Sequence, residues 1–270
     1  MSRCDHLDLS VAHDLRWDFA ERYAAEINAH WQRRTSDNPQ FFNGPIVLLC
    51  EPATVGTTAH GLTLGGRFLK ADFKSFLYWR EVGPTHVNTP EVDPAYGGAP
   101  PASVCNTSVS DTSVRDTGVC DAFGSAIVWS ADGKLMVIRQ SPGHVNQGQV
   151  YFPGGFIDQR DISEAGAIDI DGSVRRELAE ETGLTAQDVT RTPGYLVTRN
   201  DRQLSIGVTF RTNLPADQLC QKVEAFIQQD SDAELAAVAC ISQPEAPPGT
   251  TFAEFANILV HELLPVRIST

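Results

Sequence analysis

Hydrophobic residues recur every four positions from Leu15 through Phe19, Tyr23, Ile27 and Trp31, a spacing that predicts an amphipathic helix over residues 15–34. Asn38-Pro39 ends it, because the residue before a proline is driven out of the helical region. Ile46 to Cys50 is an apolar run short enough for a strand, and residues 60–69 supply its hairpin partner. Asp72 to Arg80 predicts a second helix with Phe73, Phe76 and Leu77 on one face. Residues 1–82 thus read as a small α+β unit, near the lower size limit for a core of its own and expected to pack on the rest of the chain.

The pattern then changes. Residues 83–120 are rich in Pro, Gly, Ser, Thr and Asp with little apolar periodicity, the composition of a linker or long surface loop. Regular patterning resumes at 121 and continues to 270. Ala122 to Trp129 predicts a strand, Asp132-Gly133 a turn, and Lys134 to Arg139 the return strand. Val150 to Phe152 is a short strand before Pro153-Gly154-Gly155. Residues 171–183 are the clearest helix, with Asp171 as the expected cap and Gly183 as the stop. A strand pair at Leu196–Arg199 and Leu204–Phe210, a helix over 215–229, a strand from Glu234 to Ile241 and a helix from Thr251 to Leu264 complete the unit. Strands interspersed with helices predict an α/β layered sandwich around a mixed sheet.

Charge narrows the partners. The chain has 270 residues and a formal net charge of −13, with no basic stripe, so no nucleic-acid partner is expected. An acidic protein still handles phosphates when divalent cations bridge the two negative parties. No apolar run is long enough for a membrane span or a signal core, so the expectation is a cytoplasmic protein with no membrane partner. The six cysteines form no CxxC pair, which argues against zinc and for free thiols.

The chemistry is concentrated in Arg176-Glu177-Leu178-Ala179-Glu180-Glu181-Thr182-Gly183-Leu184. On a helix the three glutamates share an arc of about 100°. Like charges so spaced repel, and a hard cation that takes several oxygen ligands reverses the penalty. The segment resembles the signature of the Nudix hydrolase family, which runs from a glycine through a glutamate to Arg-Glu-apolar-x-Glu-Glu-x-Gly-apolar. Residues 176–184 match its second half throughout, and Gly155 matches the opening glycine. There is one departure. Seven extra residues lie between Gly155 and Arg176, and counting back from Arg176 puts Ile168 where the first glutamate belongs. Asp158, Asp161, Glu164, Asp169 and Asp171 are the candidates to replace it.

The resemblance implies a Nudix-type α/β/α sandwich and hydrolysis of a diphosphate linkage with Mg²⁺, Mn²⁺ being the alternative. It implies that Glu177, Glu180, Glu181 and the Gly155 carbonyl hold the metal, and that Arg176 orients a helix carboxylate. Glu234 is a candidate general base; Arg139, His144 and Tyr151 are candidate substrate contacts. Gly148 to Gly155 resembles the corresponding segment of coenzyme A diphosphatases, whereas Asn38 to Gly44 and Asp72-Phe73 resemble larger Nudix proteins that include UDP-sugar diphosphatases. The expected partner is a small nucleotide-like molecule, foremost a nucleoside diphosphate joined to a sugar or similar group. Coenzyme A and a non-catalytic nucleotide-binding module are the alternatives, and a homodimer is compatible with the sequence. Trp17, Trp31, Phe41, Phe42, Tyr78 and Trp79 of the N-terminal unit are candidates to set specificity, since the carboxylate helix can read only phosphate and metal.

Overall fold

The computed structural model describes residues 1–39, 41–50, 53–82, 113–114, 119–142, 146–200, 202–229 and 234–264. Most of the 83–120 segment expected as a linker, and His144, lie outside these.

The N-terminal residues begin as strands. β1 (Ser2–Cys4) is followed by β2 (His6–Val11) and the two-residue β3 (Arg16–Trp17). The helix expected over 15–34 is two helices, α1 (Asp18–Arg22) and α2 (Ala24–Asp37), broken at Tyr23. The four-residue spacing runs through the break because both helices bury the same face, through Phe19 and Ile27. Three strands follow, β4 (Pro45–Leu49), β5 (Thr54–Thr58) and the long β6 (Gly61–Asp72). β6 pairs with β4 as expected, but its hairpin partner is β5, a wholly exposed strand with no apolar signal. β2 lies parallel on the opposite edge of β6. Asp72 then caps α3 (Phe73–Glu81), its side chain accepting from the Ser75 N–H at 3.0 Å.

β4 reads as continuously apolar because both its faces are buried. Ile46 and Leu48 point into an aromatic core with Phe19, Phe76, Tyr78 and Trp79. Val47 and Leu49 point the other way, into the main core of the molecule.

β7 (Ser113–Val114) pairs with β3. The second unit contains β8 (Asp121–Trp129), β9 (Leu135–Gln140), β10 (Gln149–Tyr151), α4 (Ile170–Thr182), β11 (Val189–Arg199), β12 (Gln203–Thr212), α5 (Ala216–Ile227), β13 (Leu235–Ile241), β14 (Thr251–Phe252) and α6 (Glu254–Leu263). Its mixed sheet has eight strands in the order β1-β11-β12-β8-β9-β10-β14, with β13 on β9. β8 is buried on both faces and pairs in parallel with β12 at the centre. This is the expected α/β sandwich with a mixed sheet, and β1 extends it from the N-terminal residues. Among the described residues no helix is long and apolar enough to cross a membrane.

Backbone hydrogen bonds join the two units. Leu49 and Cys120 exchange N–H···O bonds of 2.9 and 2.7 Å, and the Val47 N–H donates to Ile157 O at 3.1 Å. The Val11 N–H donates to Gly166 O at 2.8 Å, and the Ile168 N–H to Leu9 O at 3.0 Å. The extra residues before α4 therefore form a small hairpin, bridged at Ile162 and Ile168, lying along the free edge of β2.

Candidate functional site

Helix α4 is placed by local chemistry. The cap is Asp169, whose side chain accepts from the Gly172 N–H at 2.9 Å; Asp171, the expected cap, instead bonds Arg191 and Tyr195 from β11. Gly183 ends the helix with φ 69°. Val174 and Leu178 are buried, each contributing roughly 1.5–3 kcal/mol. The helix approaches β8 closely at Gly124, where a Cβ would stand 2.4 Å from the Val174 side chain.

With that face fixed, Glu177 and Glu181 meet the Pro153–Gly155 turn. The Gly154 N–H donates to Glu181 Oε2 at 2.9 Å, and a Cβ on Gly155 would lie 2.8 Å from the Glu177 carboxyl. Arg176 holds two groups at once. Its Nη1 bonds Glu177 and reaches Glu180 at 3.5 Å, and its Nη2 donates to both oxygens of Asp161. Asp161 also accepts from Ser173 Oγ at 2.9 Å and the Asp158 N–H at 3.0 Å.

Of the five candidates for the place of the signature's first glutamate, Asp161 is the one that Arg176 holds through both oxygens. The other candidates are engaged differently: Asp158 with Arg160, Asp169 at the cap, Asp171 with β11, and Glu164 exposed on the hairpin. Counting forward from Gly155 by the signature's spacing also reaches Asp161, so the extra residues follow it rather than precede it.

The buried carboxylates resist ionisation. Desolvation pushes the pKa of Glu181 well above its ordinary value; the Glu234 charge adds to this and the Gly154 N–H opposes it. Glu177 is raised by burial despite its Arg176 partner. Two desolvated carboxylates beside a third acid are the donor chemistry a hard divalent cation satisfies. Among the described residues, no three His, Cys, Asp or Glu side chains already close on one point. Glu180 is exposed and turned toward Arg160 and Arg176, so joining Glu177 and Glu181 requires it to swing inward.

A cavity of about 590 Å³ opens in front of these residues. Its lining includes Glu177, Glu181, Glu234 and Gly155. Phe41, Phe42 and Phe73 of the N-terminal unit line it too, with Phe123, Phe156 and Phe255 of the second. A smaller cavity of about 380 Å³ shares Arg80, Asp121 and Gln203 with it. Glu234 is held by Gln140, whose Nε2 donates to Oε1 at 2.8 Å. Tyr151 lines the cavity as a phenol whose pKa is raised by burial and by the charges of Glu181 and Glu234.

Arg139 does not join the site. Successive residues of a strand face opposite ways, and on β9 it is Gln140 that borders the cavity. His144 is outside the described residues. Of the aromatic candidates, Phe41 and Phe42 line the cavity, Trp31 packs on Phe41 and Phe73, and Trp17, Tyr78 and Trp79 fill the unit's own core. Sequence reasoning left Asp161 as one of five candidates, although the forward spacing from Gly155 singles it out, and it missed Gln140, Asp121, Arg80 and Gln203, which left no signal.

Residues 121–258, just over half the chain, match the model of the NUDIX domain. No curated protein matches the chain. Solved structures with similarity include a MutT protein from Methanosarcina mazei Go1, 16% identical, covering 53% of this chain and 91% of that one, with a TM-score of 0.33. The NUDIX domain of Shewanella oneidensis NrtR complexed with ADP ribose is 19% identical and covers 53% of this chain and 85% of that one, with a TM-score of 0.33. The Nudix hydrolase RenU from M. Smegmatis is 14% identical and covers 55% and 88%, with a TM-score of 0.36. The domain match and the carboxylate helix it contains agree, and the chain belongs to the Nudix family of hydrolases.

Proposed function

We propose that this Nudix hydrolase cuts the diphosphate linkage of a nucleoside diphosphate joined to a sugar or similar group, giving a nucleoside monophosphate and a phosphorylated partner. The observation that carries this reading is the shared cavity: three acidic side chains for the phosphate end, and aromatic walls drawn from both units for a ring.

Mg²⁺, with Mn²⁺ as the alternative, would be held by Glu177, Glu180, Glu181 and the Gly155 carbonyl. When bound, it supplies neutralisation of the diphosphate charge and acidifies water. The protein's own groups do the rest. Arg176, anchored on Asp161, fixes the orientation of Glu177. The Gly154 N–H fixes Glu181. Glu234, steadied by Gln140, accepts the proton of the attacking water through its carboxylate. Phe41, Phe42 and Phe73 offer the ring an aromatic surface.

The test is mass-spectrometric product analysis of UDP-glucose, ADP-ribose, coenzyme A and a nucleoside triphosphate, each with Mg²⁺ and with chelator. The expected result is metal-dependent release of a nucleoside monophosphate from one of the first two. Preference for the triphosphate sinks the substrate class, preference for coenzyme A replaces it, and no cleavage of any of them leaves a binding module.

A further inference from the structure

A buried carboxylate stands where the two cavities meet. Asp121 opens β8, borders both, and is 4% exposed. Its Oδ2 accepts from Nε2 of Gln203, its register partner on β12, at 3.3 Å. Among the described residues its Oδ1 has no hydrogen-bond partner. Arg80 borders the same cavities, but its guanidinium donates to Asn146 Oδ1 at 2.8 Å and acts on Asp121 only as a nearby charge. Buried polar atoms are almost always paired, because otherwise their desolvation is uncompensated. An unpaired acceptor bordering a cavity fits a donor that arrives with the ligand.

Its position says which part of a nucleotide would bring that donor. Gly124, three residues along β8, abuts the turn that holds Glu181: a Cβ on Gly154 would stand 2.1 Å from Gly124 O. Three strand residues span about 10 Å. A nucleoside monophosphate puts a comparable distance between its phosphate and the far edge of its base. The walls of the larger cavity are aromatic, with Phe73 and Phe156 edge to face at 5.8 Å. The aromatic part of the lining suits a planar ring, and the unpaired Oδ1 suits a ring that bears an N–H group.

Resting on the reading of the cavity as a nucleotide site, we propose that Asp121 selects the base. Its Oδ1 accepts a hydrogen bond from an amino group on the base edge, and Gln203 holds the carboxylate in place. A carbonyl at the same position would face a carboxylate and be repelled, so bases bearing an amino group are preferred over their carbonyl counterparts.

The test uses the full chain and two pairs that exchange amino for carbonyl, AMP against IMP and CMP against UMP. Binding is measured calorimetrically, with and without Mg²⁺. The expected result is at least tenfold tighter binding of the amino member in one pair, with that ratio reduced at least fivefold by Asp121→Asn. Should Asp121→Asn fail to fold, Gln203→Met is expected to reduce the same ratio. Equal binding within both pairs, a ratio that the substitution leaves unaltered, or no nucleotide binding at all overturns the inference. Because binding needs no turnover, base discrimination without cleavage of any diphosphate keeps Asp121's role and sinks the hydrolytic reading. Cleavage without discrimination does the reverse.

Discussion

Both carboxylate oxygens of Asp161 accept from Nη2 of Arg176, at 2.9 and 3.0 Å, across a hairpin inserted between them. The pair fixes the residue that orients Glu177, and Asp161 is only 5% exposed. Arg176 keeps Glu177 and Glu180 when Asp161 is removed, but the buried Ser173 hydroxyl and the Asp158 N–H lose their acceptor, at a cost of about 1–3 kcal/mol. Asp161→Ala is therefore expected to lower unfolding stability by about that much in urea titration, and to lower turnover as well. A change below about 1 kcal/mol would show that the pair is not an anchor.

Glu181→Gln separates stability from chemistry. The side chain keeps an oxygen for the Gly154 N–H and sheds a charge that burial disfavours. Melting in metal-free buffer is expected to hold or rise. Turnover should fall on the order of 10²-fold or more, since the ligand proposed for the metal is lost. Mg²⁺ should raise the melting temperature of the parent chain and not of the variant. An active variant, or one that Mg²⁺ still stabilises fully, would remove Glu181 from the metal site.

The adjacent glycines should fail in different ways. A Cβ on Gly154 meets backbone, the Gly124 carbonyl at 2.1 Å, so Gly154→Ala must move the strand or the turn. A Cβ on Gly155 meets only the end of the Glu177 side chain. Thermal melts and turnover of both alanine variants are expected to show Gly154→Ala losing stability, and Gly155→Ala melting near the parent while losing activity. Equal melting temperatures for the two would contradict this geometry.

Asp121 gives a pH dependence of definite sign. Burial raises its pKa to about 6, against the opposing effects of Gln203 and Arg80. Below the unfolded value, near 4, both states are protonated; between there and about 6 the native state holds more protons. Stability should therefore fall as pH rises through that window, by at most about 3 kcal/mol. Denaturant melts from pH 4 to 7 are expected to show this slope, reduced in Asp121→Asn. An unchanged slope would mean that Asp121 titrates normally.

The carboxylate helix was legible in the sequence because its pattern is local: the spacing of Glu177, Glu180 and Glu181 and the stop at Gly183 lie within two turns. Asp161 stood only as one of five candidates, because counting back from Arg176 crosses the insertion, whereas counting forward from Gly155 does not. Either of two nearby aspartates, Asp169 or Asp171, suits the cap position in the sequence. What separates them is Arg191 and Tyr195, which arrive from a distant strand. β1 and β5 are not legible in the sequence, because a three-residue strand and a wholly exposed one carry no apolar alternation. Phe41 and Trp17 are alike in sequence, and only tertiary packing puts one at the cavity and the other in the core.

The hairpin inserted before α4 also has a bearing on solubility. β2 is the outer strand of its sheet, and the side away from β6 is occupied by Gly166 and Ile168 through main-chain hydrogen bonds. Trimming the insertion to the length of the family signature would bare a row of unpaired amides and carbonyls beside Leu9 and Val11. Such an edge is a template for strands of other molecules. A shortened chain is expected to self-associate on size-exclusion chromatography.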